Sequence, residues 1–211
     1  GVQFASDDES FAALDLSSTA PVLGLFEDSH MQYEADRSGE PSLAEMTKAA
    51  INYLSTNENG YYLEIEAGRV DHANHDGNAY RTLTDGVAFA EAVAMADALT
   101  NDEDTLIIVT ADHEHAIAFN GYCGRGSDIL GLCMGVADTG EMNNGEPLLA
   151  ADGKPYTVIG YLNGAGSVLV ENGNDFSGAR PDLTQEEAID PDYLQQALIP
   201  MSSETHSGED V

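Results

Sequence analysis

Short apolar runs alternate with longer amphipathic stretches along the first half of the chain. "PVLGLFE" (Pro21–Glu27) is short and apolar, the pattern of a buried strand. "EPSLAEMTKAAINYLS" has Ser42 as an N-cap and Glu45 three residues on, a capping box. Its apolar stripe is Leu43, Met46, Ala50 and Leu54, so it predicts a helix. "GYYLEIEAG" alternates Tyr61, Leu63 and Ile65 against Tyr62, Glu64 and Glu66, which predicts a strand ending at Glu66. "GNAYRTLTDGVAFAEAVAMADALT" predicts a long helix with Leu83, Val87, Ala90 and Ala94 on one face. "DTLIIVTADHEH" supplies a third strand, and its continuous run Leu106–Val109 is expected where both faces of a sheet are covered. Strand, helix, strand, helix, strand predicts an α/β fold with a largely parallel sheet and right-handed crossovers.

Near Gly121 the texture changes. Glycine, asparagine and short β signals take over through "YTVIGYLNG" and "GSVLVENG". We read residues 1–120 as core, 121–190 as an inserted or appended lobe of short strands and long loops, and 191–211 as a return to the core. No internal repeat or low-complexity tract interrupts this order.

Composition sharpens the picture. The 211 residues, 42% hydrophobic, suffice for one good-sized domain or a domain with an insert. Seven basic against 38 acidic residues give a net charge of −31. Such a surface repels nucleic acid and anionic membrane, and it suits cations and a halophilic or marine setting where salt screens self-repulsion. No run of 18 apolar residues is present, so no transmembrane helix is expected. The chain opens on Gly-Val-Gln without an initiator Met or a signal pattern, as a processed product or a piece of a longer protein would. Cys123 and Cys133 allow one pairing. A disulfide fits export to an oxidising space, two free thiols being the alternative.

Candidate chemistry concentrates where open α/β sheets bind ligands, at the carboxyl ends of strands. Glu66 ends one strand signal, and Asp71, His72 and His75 follow in the loop expected after it. Asp112 and His113 end the next, and His206 lies in "ETHSGEDV". A core cannot hold such side chains unpaired. A lone "DH" is more often a helix cap or a hydrogen-bonded loop pair than a ligand set. Four of the six histidines in acid-rich strand-end loops or the terminal segment point instead to a multi-metal hydrolase. Mixed imidazole and carboxylate donors suit zinc, and Glu66, an oxygen donor alone, suits magnesium.

At these residues the sequence resembles the C-terminal half of an alkaline phosphatase of the animal-type branch. The segments that carry the resemblance are "GLFEDSHMQYEADR", "PSLAEMTKAA", "EAGRVDHANHDGNAYRTL", "EDTLIIVTADHEHA", "GYCGRGSDILGL" and "ETHSGEDV", in this order over nearly the whole chain. The resemblance implies a three-layer α/β/α sandwich around a largely parallel sheet, with 121–190 as a crown-like insert at a homodimer interface. It implies an exported, periplasmic or extracellular enzyme that hydrolyses small phosphate monoesters to inorganic phosphate through a phosphoserine. It implies two zinc ions, one magnesium and, in some members, a calcium. Asp71, His75 and His206 match the ligands of the first zinc, Asp112 and His113 two ligands of the second, and Glu66 a magnesium ligand. His72 matches a histidine near the phosphate. Phe26, Glu27 and Glu40 match the calcium position, in a loop two residues shorter than the animal pattern. His115 matches a position with no ligand role, for which a hydrogen-bonded strand end is expected.

The departures are as informative. The family's nucleophilic serine stands in an Asp-Ser-Ala context that does not occur here, and Ser6 in "FASDDES" is no match. The bridging Asp, the phosphate-gripping Arg and the Thr or Ser ligand of magnesium have no counterpart, so the chain alone is not expected to turn over. Two rival readings stand beside this one: another hydrolase of the superfamily, such as a phosphodiesterase, sulfatase or phosphomutase, and a non-catalytic zinc-binding fragment or subunit that needs a partner chain.

Overall fold

A computed structural model describes residues 1–173 and 175–208, with Asn144 described for its backbone alone. In chain order the elements are β1 (Gln3–Ala5), α1 (Asp8–Ala12), β2 (Val22–Gly24), α2 (Leu43–Leu54), α3 (Gly68–His75) and α4 (Ala79–Leu99). Then come β3 (Glu114–His115), β4 (Ile117–Phe119), β5 (Met134–Val136), β6 (Met142–Pro147), β7 (Ile159–Gly164), β8 (Val170–Asn172) and β9 (Asp175–Ser177). Last are α5 (Gln185–Ala188), β10 (Ala197–Pro200) and β11 (His206–Ser207). The end of "ETHSGEDV", residues 209–211, lies outside the described residues. The chain forms two compact units, residues 1–70 with 83–110, and residues 71–82 with 111–211.

In the first unit β1 and β2 pair in parallel, Phe4 opposite Leu23. Helix α2 begins as its sequence dictates. The Ser42 side chain accepts from the Glu45 N–H and the Glu45 carboxylate accepts from the Ser42 N–H, so two of the helix's open donors are satisfied. Helix α4 departs from expectation. Its buried positions are Ala79, Thr82, Asp85, Ala88, Ala92 and Ala96, whereas Val87 is 60% exposed. The helix is apolar nearly all round, so periodicity alone could not choose its inner face. The small alanines pack closest.

The expected three-layer sandwich on a largely parallel sheet is not what the described residues form. Their sheets are small and mixed: β1–β2 is parallel, β10–β7–β4 combines one parallel and one antiparallel pair, and the rest are two-stranded. Tyr61–Glu66 and Leu106–Val109 carry strand patterns but join no ladder among the described residues. Tyr62, Leu106 and Ile108 are exposed. A strand exists only against a neighbour. Periodicity reports which side chains call for burial, not whether a neighbour is at hand.

In the second unit β4 and β10 flank β7, whose Ile159 and Tyr161 are buried. A small apolar cluster, Leu132, Leu183 and Ala188, closes the lobe around β5, β6 and α5. Cys123 and Cys133 are joined in a disulfide.

One buried carboxyl in the first unit sets a pH dependence. Asp85 on α4 accepts the Glu34 N–H at 3.2 and 3.3 Å. Burial pushes its carboxyl from an ordinary 3.8 up to about 6, against the lowering effect of that N–H and of Arg69. The folded unit thus holds the proton more tightly than the unfolded chain. The stability this adds is full below pH 4 and is lost as pH rises through 6. Two units correspond to about 3 kcal/mol. We expect Asp85→Asn, which keeps an acceptor for the Glu34 N–H, to stabilise the chain by about 1–3 kcal/mol at pH 8 and by little at pH 4, read from urea unfolding at both.

Candidate metal centre

The centre is built in the second unit, starting from α3. The pair Asp71 and His75, expected in a loop, stands on this helix at i and i+4, one above the other on a single face. The helix ends in a Schellman arrangement. Gly77, at φ 71°, donates to the Asn74 carbonyl at 2.7 Å and Asn78 donates to that of Ala73 at 3.0 Å. Only glycine takes that backbone without strain. Asn78 then caps α4, its Oδ1 accepting from the Arg81 N–H at 2.8 Å. Beside this face α3 is pinned by Tyr161 of β7, whose hydroxyl donates to Asn74 Oδ1 at 2.7 Å. Burial raises that hydroxyl to about 12, which keeps it a neutral donor.

Two other segments bring their histidines to this face. Strand β11 pairs antiparallel with β3, setting His206 opposite His115. The Thr205 N–H donates to Asn163 Oδ1 at 2.8 Å and holds the β11 segment to β7. Around Asp71 Oδ1 then stand four imidazole Nε2 atoms: His115 at 3.0 Å, His206 at 3.3 Å, His75 at 3.5 Å and His113 at 3.7 Å. His75 and His206 Nε2 are 3.1 Å apart. Partial burial pulls the Asp71 carboxyl up, but His75, the hydrogen bond from His115 and the charges of His115 and His72 outweigh it and hold it low.

The ring environments assign roles. His75 Nδ1 lies 2.7 Å from the Glu204 carbonyl oxygen. A carbonyl only accepts, so Nδ1 carries the hydrogen and Nε2 of the neutral ring presents a lone pair. His113 repeats this, with Nδ1 at 3.3 Å from the Glu114 carbonyl. His115 differs. Its Nδ1 meets Glu204 Oε2 at 2.6 Å and its Nε2 meets Asp71, so both nitrogens are engaged and neither is left for an ion. It orients Asp71. Glu204, fully buried, in turn orients His115, and its Oε1 accepts the Ala116 N–H at 2.6 Å. Its own N–H donates to the His75 carbonyl at 2.9 Å.

The remaining expected residues are placed as follows. Asp112 touches the cluster through His113, its Oδ2 3.5 Å from Nε2, and its side chain is 90% exposed. His72 is half-buried beside Asp71 on α3. Glu66, in the first unit, folds back over Gly68, where a Cβ would stand 3.2 Å from its carboxylate. Glu27 and Glu40, also there, are drawn together by Gln32, whose Nε2 donates to Glu27 at 3.1 Å and whose N–H donates to Glu40 Oε1 at 2.7 Å. Glu40 is buried and its Oε2 has no hydrogen-bond partner.

The profile of the alkaline phosphatase family matches residues 1–211. The chain belongs to the alkaline phosphatase family. It is 42% identical over 192 residues to an alkaline phosphatase of Gadus morhua, covering 90% of this chain and 36% of that one. It is 40% identical over 201 residues to the tissue-nonspecific alkaline phosphatase of Rattus norvegicus, covering 94% and 35%. A membrane-bound alkaline phosphatase of Bombyx mori is 40% identical over 203 residues, covering 94% and 34%. The chain thus spans about a third of the length of these relatives. Among solved structures, the alkaline phosphatase of Thermus thermophilus aligns with 59% of this chain and 27% of its own, at a TM-score of 0.53 and 38% identity. The cold-active enzyme of a Shewanella species aligns with 60% and 31%, at 0.52 and 25%.

In this member of the alkaline phosphatase family His115 is a hydrogen-bonded strand-end residue, as expected, whereas Glu204 was not foreseen. A Glu two residues before His206 carries no spacing signal. Its meaning appears only when β11 pairs with β3. We expect Glu204→Ala to strand two buried donors, at about 1–3 kcal/mol each, and to weaken zinc binding roughly 10–100-fold. Glu204→Gln, which keeps one acceptor oxygen, should lose less on both counts. Chemical unfolding and zinc titration measure the two effects.

Proposed function

We propose that this chain is the zinc-binding portion of an enzyme that hydrolyses phosphate monoesters through a phosphoserine. One observation carries the reading: Asp71 Oδ1, His75 Nε2 and His206 Nε2 form a triangle with edges of 3.5, 3.3 and 3.1 Å. Donors at zinc distances of about 2.0–2.2 Å stand about 3.3–3.6 Å apart in a tetrahedron, so the donor set and its spacing fit the ion. When bound there, zinc would hold the phosphate, stabilise the leaving oxygen and lower the pKa of a water. His75 keeps its lone pair toward the ion through the Glu204 carbonyl, and Asp71 is aimed by His115.

In the same reading Asp112 and His113 serve a second zinc and Glu66 a magnesium, each with further ligands from outside these 211 residues. His72 lies near the phosphate. The serine and the phosphate-gripping arginine belong to the part of the relatives that the chain does not span. Phe26, Glu27 and Glu40 take a calcium, and the unpartnered buried oxygen of Glu40 supports that assignment. Residues 121–190 form the crown-like insert of a homodimer. A periplasmic or extracellular setting agrees with the Cys123–Cys133 disulfide. No helix among the described residues is long and apolar enough to cross a membrane.

The test joins this chain to the serine-bearing portion of a relative and assays monoesters, diesters and sulfate esters. Monoesters should be preferred, and chelation should abolish turnover until zinc is returned. His206→Ala should lower zinc content and turnover together, by about 100-fold or more. Preference for diesters, or full turnover by His206→Ala, would overturn the reading. A chain that takes up zinc but stays inert when joined would favour the non-catalytic zinc-binding fragment.

A further inference from the structure

Three consecutive residues of β7 each hold a segment that carries a side chain of the cluster around Asp71. The Tyr161 hydroxyl donates to Asn74 Oδ1 at 2.7 Å, and Asn74 precedes His75 on α3. The Leu162 N–H donates to the Ala116 carbonyl at 2.8 Å, and Ala116 follows His115. Asn163 Oδ1 accepts from the Thr205 N–H at 2.8 Å and from the Thr205 hydroxyl at 3.3 Å, and Thr205 precedes His206. Tyr161 and Asn163 are two apart on a strand, so both side chains leave the same face. β7 is the middle strand of its sheet, bonded to β10 on one edge and to β4 on the other. A strand held on both edges keeps its register, since a slip of one residue would reverse its faces. β7 therefore fixes where the three held segments lie relative to one another.

We propose that Tyr161 and Asn163 are positioning residues of the metal centre, which set the distance from His206 on β11 to Asp71 and His75 on α3. Neither is a ligand. Each acts through the neighbour of one, and metal donors must stand within about 0.5 Å of their working positions. The two holds differ in weight. The end of α3 is also fastened elsewhere, the Gly77 carbonyl accepting from the Gln195 N–H at 2.9 Å, so Tyr161 shares its task. The β11 ladder is only two residues long, and Thr205 and His206 are both exposed, so packing does little to place them. Asn163 supplies what packing does not. The inference rests on the first-ion triad proposed above.

Zinc titration of the intact 211-residue chain, paired with urea unfolding of its metal-free form, tests it. Asn163→Leu keeps the bulk and removes the acceptor. It should weaken zinc roughly 10–100-fold, the scale of lost outer hydrogen bonds. The urea midpoint should stay nearly in place, because the freed Thr205 N–H is exposed and turns to water. Asn163→Asp, which keeps the acceptor, should recover the affinity, and Tyr161→Phe should cost less than Asn163→Leu. Cobalt in place of zinc should show altered visible bands in Asn163→Leu and unaltered ones in Asn163→Asp. One readout needs no variant. Coupling is reciprocal, so zinc should slow hydrogen exchange at the Thr205 amide of the unaltered chain by about tenfold or more. The positioning role is overturned by unchanged affinity in Asn163→Leu, by affinity and midpoint falling together without recovery in Asn163→Asp, or by a Thr205 amide indifferent to zinc. Loss of zinc in His206→Ala alongside any of these leaves the triad standing. Unchanged affinity in His206→Ala, or no zinc bound by the unaltered chain, overturns the triad and this inference with it.

Discussion

A lone pair facing a lone pair is the constraint on which the second unit turns. Asp71 Oδ1 is an acceptor. His75 and His113 hold their ring hydrogens on the far nitrogen, against backbone carbonyls. Their near nitrogens, as neutral rings, can only accept. Carboxylate oxygen and imidazole nitrogen at 3.5 and 3.7 Å therefore call for something positive between them, a proton on the ring or a bound cation. His115 answers Asp71 with a hydrogen bond. The fold assembles this cluster from α3, from His113 and His115, and from His206, and turns the Nδ1 hydrogens of His75 and His113 away from Asp71. A chain of net charge −31 has no shortage of carboxylates, so negative charge alone does not mark a site. The fixed ring hydrogens do.

Glu204 holds the His75 hydrogen and also orients His115. A fully buried carboxylate is costly unless its lone pairs are taken up, and here a backbone N–H and an imidazole take them. The same residue's carbonyl and N–H bind His75 at both ring and backbone. One residue thereby fixes the orientation of two histidines, and the two-residue pairing of β11 with β3 fixes Glu204. The short ladder matters through this register. A slip by one residue would turn His206 to the other face and withdraw Glu204 together with it.

Local signals were legible in the sequence, and long-range pairings were not. The capping box at Ser42 and Glu45 and the limits of α2 follow from spacing and residue type, and the grouping of Asp71, His75 and His206 from the family resemblance. That Asp71 and His75 lie on a helix was also readable, since an acid and a histidine four apart share a helical face. The apolar neighbours before them drew the reading toward a strand and its loop. Glu204 was not readable, because nothing local separates it from the other acids. The inner face of α4 was not readable either, because Leu83, Val87, Ala90 and Ala94 form as good a stripe as the alanines that are buried.

The strand patterns at Tyr61–Glu66 and Leu106–Val109 fail in a more instructive way. Four consecutive apolar residues describe a strand covered on both faces, yet Leu106 and Ile108 are 83% and 76% exposed. Val87 on α4 and Leu25 after β2 are exposed in the same unit. Leu106 to Val109 is exposed at four consecutive apolar positions, the kind of run that calls for a covering surface. The relatives that the chain matches are about three times its length. The residues thus encode a packing environment larger than the 211 positions that carry them. The metal cluster, by contrast, needs only residues 71–82 and 111–208. That difference explains why the site is formed here while the sheet expected to carry it is not.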